Sequence, residues 1–189
     1  MAYTFEDVTV GLPPITSTTA AQTGIVQGAT TVYPANAVGR TPGANLGTII
    51  RASDPVYGEG EFIYMLGVAA TVVGSLVTWD GATAGVPTYQ TVLCPSTANL
   101  DKPVAVAMSA NLAGFYGWYQ ISGHAVVATN GTLAAAGVPV YIGTAGTVTG
   151  TAAAGKQIVN AQSESATGTP ATNQAVVLLN RPFAQGAIT

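Results

Sequence analysis

Glycine and proline interrupt this sequence so often that no window keeps the 3.6-residue apolar repeat of a helix for three turns. The 23 Gly and 11 Pro are spaced at strand-and-turn intervals and form no low-complexity blocks. The runs between them are rich in Val, Thr, Ile and aromatic residues, which favour β-strands. Short, evenly spaced strands without helices predict an all-β fold, either a sandwich or a small barrel.

The part of the chain from residue 51 to residue 189 is predicted to form the β-barrel body. Its apolar or alternating runs predict strands at 61–68, 76–79, 89–94, 103–108, 115–121, 125–128, 138–142, 147–149, 156–161 and 175–179. Asp80-Gly81 and Asn130-Gly131 are typical of two-residue hairpin turns. Ala alternates with larger residues at 103–108, which would suit the inner wall of a tapering barrel.

Residues 1–50 differ from the body because they are rich in Pro and Thr and show little sustained alternation. We predict an extended N-terminal arm that packs on another surface. Its apolar anchors would be Phe5, Leu12, Ile15, Ile25, Val32 and Tyr33. An alternative is that this region folds back as edge strands of the same domain.

Charge is scarce throughout the chain. Only 7% of residues are charged, against about 25% in an average soluble domain. Five Lys and Arg face eight Asp and Glu, for a net charge of −3, and the basic residues are scattered. No basic stripe follows a phosphate backbone, so we predict no nucleic-acid partner. A surface with little charge repulsion suits a protein packed against neighbours, although a secreted protein with a Thr/Ser surface is an alternative.

The residues that carry chemistry are few, and we predict no enzyme, cofactor or metal. His124 and Cys94 are the only His and Cys, and no G-x-S-x-G motif supplies a nucleophilic serine. Glu59 and Glu61 would share one face of a strand, but two acids alone make a poor metal site. The first residues lack the basic and apolar character of a signal peptide, and no apolar run is long enough to span a bilayer. We therefore expect a protein made and used inside a cell, with no membrane partner.

The most aromatic stretch contains Tyr116, Trp118 and Tyr119. On a strand, Tyr116 and Trp118 share one face and Tyr119 points to the other. We predict that these residues pack in the core or in a subunit contact. A sugar-binding face is the alternative. Gly114, Gly117 and Gly123, which flank this stretch, are predicted to mark bulges or close backbone approaches.

Several separated segments resemble those of tailed-bacteriophage head proteins. They are residues 57–68 (YGEGEFIYMLGV), 104–111 (VAVAMSAN) and 116–123 (YGWYQISG). Residues 177–183 (VLLNRPF) resemble the C-terminal signature of the same group, the capsid decoration or cement proteins. The resemblance covers roughly residues 55–185.

This resemblance implies a β-barrel or β-tulip-like body on the outer capsid surface, which holds neighbouring major capsid subunits together. It implies a structural virion protein, made in the host cytoplasm, with no catalytic residues. Its partners would be the major capsid protein and further copies of itself, as a homotrimer or alternatively a dimer. The N-terminal arm would clamp the capsid. The competing hypothesis is a carbohydrate-binding or adhesin-like β module of the head-fibre type.

Overall fold

The computed structural model describes residues 4–5, 15, 19–20, 26–27, 30–31, 45–79, 88–111 and 114–187. Every regular element in these ranges is a β-strand, which confirms the predicted all-β fold. Within the same ranges, no helix has the length and apolar character needed to cross a membrane.

The described ranges contain fourteen strands, numbered here in chain order. They are β1 (Thr4–Phe5), β2 (Thr19–Ala20), β3 (Val26–Gln27), β4 (Thr30–Thr31), β5 (Ile49–Asp54), β6 (Gly58–Leu66), β7 (Leu76–Trp79), β8 (Thr91–Leu93), β9 (Val104–Ala107), β10 (Phe115–Ala128), β11 (Pro139–Ile142), β12 (Val148–Thr149), β13 (Gln157–Ser163) and β14 (Gln174–Ala184).

Twelve of these strands form one curled sheet with a half-barrel shape. Its main path runs in the order β1-β5-β6-β10-β14-β13-β11-β12. Strands β2 and β9 also pair with β10, and β7 joins β9 to β8. Strands β3 and β4 pair only with each other in the described part of the chain.

Strand β10 is the central element because it belongs to two differently built halves of the molecule. Its first half pairs with β6, and its second half, from Ser122 onward, pairs with β14. The sequence predicted two strands here, but the structure has one strand with a register shift between Gln120 and Ser122. Gly123 has a φ of +88°, and a Cβ there would lie 3.0 Å from the Cα of Gly60. The predicted close backbone approach is therefore confirmed at Gly123. A Cβ at Gly114 would meet no atom within 4 Å, and one at Gly117 would meet the side chain of Asn111, so neither glycine marks a close backbone approach.

One half of the molecule is the strongly curled part of this sheet, and it has an aliphatic interior. We call this region the barrel; it comprises β7, β9, β11–β14 and the second half of β10. Its buried residues are Leu76, Cys94, Val104, Val106, Ala125, Val127, Leu133, Val140, Ile142, Val148, Ile158, Ala175, Val177, Leu179 and Ala184. The backbone N–H of Leu76 donates a hydrogen bond to the carbonyl of Gly146, which links β7 to the β11–β12 turn, and the N–H of Gly146 donates to the carbonyl of Cys94, just after β8.

The second half is built from β5, β6 and the first half of β10, and we call it the aromatic sheet. One face buries Phe62, Tyr64 and Trp118 with Ile15, Ala52 and Met108. The opposite face buries Tyr119 with Ile63, Met65, Val77, Ala105, Ala107 and Ile121. The sheet is therefore covered on both faces.

Strand β9 lies between these two cores. Val104 and Val106 point into the barrel, whereas Ala105 and Ala107 pack against the face that contains Tyr119. The prediction that the alternating residues of 103–108 line the inner wall of one tapering barrel is wrong. All four residues of β9 are buried, and they face two different cores. The small residues leave room for the large aromatic ring.

The hairpin predicted at Asn130-Gly131 is also wrong. Strand β10, which precedes it, pairs with β14 and not with the next strand, β11. The side chain of Asn130 instead accepts a hydrogen bond from the backbone N–H of Thr144 at 3.1 Å. The other predicted turn, Asp80-Gly81, lies outside the described residues.

Several described pieces of the N-terminal region contact the body. Strand β1 pairs with β5 through Thr4–Ser53 and Phe5–Ala52, and β2 pairs with the start of β10. Ile15 is 2% exposed and belongs to the core around Trp118. These pairings are of the kind expected from the alternative hypothesis, in which residues 1–50 fold back as edge strands of the same domain. The division of the chain near residue 50 stays a prediction.

Candidate interaction surface

An open apolar groove lies where the aromatic sheet meets the barrel. It has a volume of about 250 Å³ and is lined by Ile49, Ile63, Trp79, Pro103, Val104, Ile121, Arg181, Pro182 and Phe183. Two of these side chains are well exposed for apolar residues, Ile49 at 47% and Phe183 at 38%. Large exposed apolar side chains that adjoin one another are typical of sites of contact with other molecules.

Phe183 reaches the groove because β14 loses its alternation. Ala175, Val177 and Leu179 face the barrel interior, so strict alternation would place Phe183 inside as well. Asn180 and Arg181 are instead both exposed, and the inward position passes to Ala184. The shift in pairing between β13 and β14 is a β-bulge, which turns Phe183 outward.

The backbone at this bulge takes an unusual conformation on both strands. Arg181 has a φ of +47° and Asn160, on β13, a φ of +61°. Left-handed backbone is uncommon for an arginine, and it persists only where the surrounding structure holds it. The bulge holds Arg181 and Phe183 on the outside of the barrel, side by side with the groove.

A triad of charged residues borders the groove. Arg181 Nε lies 3.1 Å from Glu61 Oε2, and Arg51 Nη2 lies 3.5 Å from Glu61 Oε1. The arginine side chains are 67% and 64% exposed, for Arg51 and Arg181 respectively, while that of Glu61 is only 18% exposed. One carboxylate therefore serves two guanidinium groups, and the triad carries a net charge of +1.

The residues considered for catalysis are separated in the fold. Cys94 lies in the barrel interior, where burial raises the pKa of its thiol to about 12. The thiolate, which is the nucleophilic form, is therefore absent near neutral pH. His124 lines a different groove on the outer face, with Tyr57, Glu59 and Glu164, and its Nδ1 lies 3.3 Å from the Tyr57 carbonyl oxygen. These positions do not make a nucleophile–base pair.

One of the two acids considered for a metal site, Glu61, is held in ion pairs. Glu59 and Glu61 do line one small groove with Arg51, Gly60 and Ser122, but the carboxylate of Glu61 is held by the arginines. Within the described ranges, no three His, Cys, Asp or Glu residues lie close enough together to hold an ion.

The aromatic residues predicted for the core or a subunit contact are core residues. Trp118 and Tyr119 are fully buried within the chain itself, on opposite faces of the aromatic sheet as predicted. Tyr116 is half-buried, and its ring stacks on that of Tyr64 with centroids 6.2 Å apart. Trp118 is not available as a platform for a sugar, so the alternative hypothesis loses the residue on which it depended.

The predicted capsid-contacting residues lie mostly beyond what the structure describes. Ile15 is buried against the chain's own core, so its side chain does not face outward. The backbone of Phe5 forms part of β1. Leu12, Ile25, Val32 and Tyr33 lie outside the described residues.

The groove residues were missed because sequence patterns place apolar strand residues in the core by default. One signal was present: Pro182 follows Asn180-Arg181 inside an apparent strand, and proline within a strand indicates an edge or a bulge. That signal favours a bulge next to Phe183. Nothing comparable in the sequence indicates that Ile49 is exposed.

Comparison of the chain with models of protein families, with curated proteins and with solved structures found no match.

Proposed function

We propose that this chain is a structural virion protein that binds the outer surface of a tailed-phage capsid and stabilises contacts between major capsid subunits. The proposal starts from the resemblance of four segments to capsid decoration proteins. It assigns no chemistry to the chain and locates its role in binding other proteins.

One observation carries the proposal. The segments that resemble decoration proteins lie apart in the sequence, yet they converge on the apolar groove. Of its nine lining residues, six belong to those segments: Ile63, Val104, Ile121, Arg181, Pro182 and Phe183. Ile63, Val104, Ile121 and Pro182 form the buried floor of the groove, and Arg181 and Phe183 are exposed at its edge.

The composition supports the same role. With 7% charged residues, the surface offers few ion pairs to a partner, so binding must depend mainly on apolar contact and uncharged hydrogen bonds. Such contacts are weakened little by salt, because screening acts on exposed charges. A stable contact buries roughly 800 Å² per partner, and a homotrimer would present it three times at once.

Co-sedimentation with phage heads that lack this protein tests the proposal directly. We expect the purified chain to pellet with such heads in 0.1 M and in 1 M NaCl, and not to pellet with heads whose sites are already filled. Light scattering on the free chain would report the expected homotrimer. Failure to pellet with unfilled heads at either salt concentration, or release by moderate NaCl, would contradict the proposal.

A glycan array separates the remaining alternative. The decoration role predicts no binding to any glycan. Specific glycan binding that is lost in Tyr116→Ala, whose ring is the half-buried one, would favour the carbohydrate-binding module instead. Trp118→Ala is unsuitable for this purpose because Trp118 is fully buried.

A further inference from the structure

The apolar groove is too small for a typical cofactor or drug-sized ligand. Its volume of about 250 Å³ is below the roughly 300–1,000 Å³ of small-molecule pockets. It matches a single large apolar side chain better. Ile49 and Phe183 form exposed walls and Trp79 lines the groove, so a side chain that enters would be covered by apolar surface.

Charge restricts the identity of the occupant. Arg181 is the only charged residue among the nine that line the groove, and it shares Glu61 with Arg51. A second copy docked symmetrically on this groove would bring four arginines together with only two glutamates. Like charges brought together at an interface repel each other, which disfavours this pairing. The groove therefore suits a different surface that supplies negative charge.

We propose that the groove receives a large apolar side chain from an extended segment of another protein, with a carboxylate of that segment bound by Arg181. An apolar residue and an acidic residue two positions apart on an extended chain point the same way. The apolar side chain would fill the groove, and the carboxylate would complement the net charge of the Arg51–Glu61–Arg181 triad. This inference rests on the proposed function only in taking the partner to be a protein.

Peptide titration tests this assignment on the full chain. The probes are three ten-residue peptides without Trp that share a Val- and Phe-rich half and carry two aspartates, two lysines or two serines next to it. The chain has two Trp, of which Trp118 is fully buried and Trp79 lines the groove. Tryptophan fluorescence therefore reports occupancy of the groove.

We expect saturable binding with the aspartate peptide at least five times tighter than the lysine peptide, and the serine peptide between them. Arg181→Glu should reverse this order. Arg181→Gly, which suits the positive φ at this position, should make the three peptides nearly equal. Lys156→Glu, an equal charge reversal outside the groove, should preserve the wild-type order.

Paired apolar substitutions test the other half of the assignment. Ile49→Thr keeps a β-branched residue on β5 and should weaken all three peptides at least fivefold. Val92→Thr is the matched control, because Val92 on β8 is 41% exposed and does not line the groove. Equal affinity of wild type for the three peptides, no fluorescence change up to millimolar peptide, or unchanged binding by Ile49→Thr would overturn the assignment.

The same variants on phage heads separate this inference from the proposed function. If wild type and all variants pellet with unfilled heads, the groove is not the contact surface and the proposed function stands. If wild type ignores heads but binds the aspartate peptide through the groove, the groove assignment stands and the capsid role fails.

Discussion

The barrel and the aromatic sheet share β10, yet they bury their residues in different ways. The barrel interior contains many aliphatic side chains of modest size, drawn from β7, β9, β11–β14 and the second half of β10. The aromatic sheet concentrates its burial in a few large residues. The five largest fully buried side chains, Trp118, Tyr64, Tyr119, Phe62 and Met65, all belong to it.

This difference has consequences for stability. A core of many small contacts spreads its stabilisation widely, so that one truncation removes little. A core of few large rings loses much more with each one, since the cost of a truncation grows with the cavity that is left. We therefore expect the most sensitive positions to lie in the aromatic sheet or at its junction with the barrel.

Trp118→Ala should produce the largest effect. Trp118 is fully buried, and its ring lies 4.9 Å from that of Tyr64 between centroids, so its removal should lower the free energy of unfolding by about 3–5 kcal/mol. Tyr116→Ala, on the same face of the same strand but half-buried, should cost clearly less. Urea denaturation measures both. Equal losses would mean that burial in this sheet is not concentrated as we describe.

Gly123→Ala tests the junction between the two regions. An alanine there would require a positive φ, and its Cβ would collide with the backbone carbonyl of Glu59. We expect a loss of at least ~2 kcal/mol, since the neighbouring atoms are backbone and cannot move aside easily. Gly114→Ala is the control: it has a similar φ of +81° but open space around it, so it should lose only about 1 kcal/mol. If the two variants were equally stable, the close approach would carry no energetic weight.

Substitutions at two neighbouring residues of β9 allow the two cores to be compared within one strand. Val106→Ala leaves a cavity in the barrel, whereas Ala107→Val overfills the space beside Tyr119. Each should lower the free energy of unfolding by about 1–3 kcal/mol. Only Ala107→Val should shift the near-ultraviolet circular dichroism of the aromatic residues. A change of that signal in Val106→Ala alone would reverse our assignment of the two faces.

Rising alkaline pH should destabilise first the barrel and then the aromatic sheet. Burial raises the pKa of Cys94 in the barrel from 9.0 to about 12, and burial raises that of Tyr119 in the aromatic sheet, opposed by hydrogen bonds with Thr91 and Asn111. Both groups are acids whose folded pKa exceeds the unfolded value. Their contribution is complete below pH 9 and is lost as the pH rises, because the unfolded chain releases its proton first.

The free energy of unfolding should therefore fall by roughly 1–2 kcal/mol between pH 9 and pH 10.5. In Cys94→Ala the fall should begin about one pH unit later, where the tyrosine of the unfolded chain starts to ionise. Denaturant titrations at several pH values measure this difference. Identical pH profiles for wild type and Cys94→Ala would contradict the buried, protonated thiol.

Much of the strand content could be predicted from local patterns. The strand at 76–79 was predicted with the bounds that the structure has, and the runs at 103–108, 138–142 and 156–161 each contain or overlap an observed strand. These segments combine β-branched residues with Gly or Pro at their ends, so the signal lies within a few residues. The opposite orientation of Trp118 and Tyr119 followed for the same reason, since alternation along a strand is local geometry.

The groove could not be predicted because its residues meet only through pairing at long range. Arg181 and Glu61 are 120 positions apart in the chain and form an ion pair. Ile49, Trp79 and Phe183 come from three strands whose adjacency depends on the order of the sheet. The bulge that exposes Phe183 lies where the pairing of β13 with β14 shifts register, and that pairing forms only in the folded sheet.

The sequence by itself determined that the described part of this chain forms strands rather than long helices, because Gly, Pro and β-branched residues act on their own neighbourhood. It also determined the scarcity of charge, which limits how the surface can bind. Only the tertiary structure decided that β10 unites two cores, that Asn130-Gly131 forms no hairpin, and that Phe183 faces outward. Strand pairing balances burial over the whole molecule, and that balance is not written in any short segment of the chain.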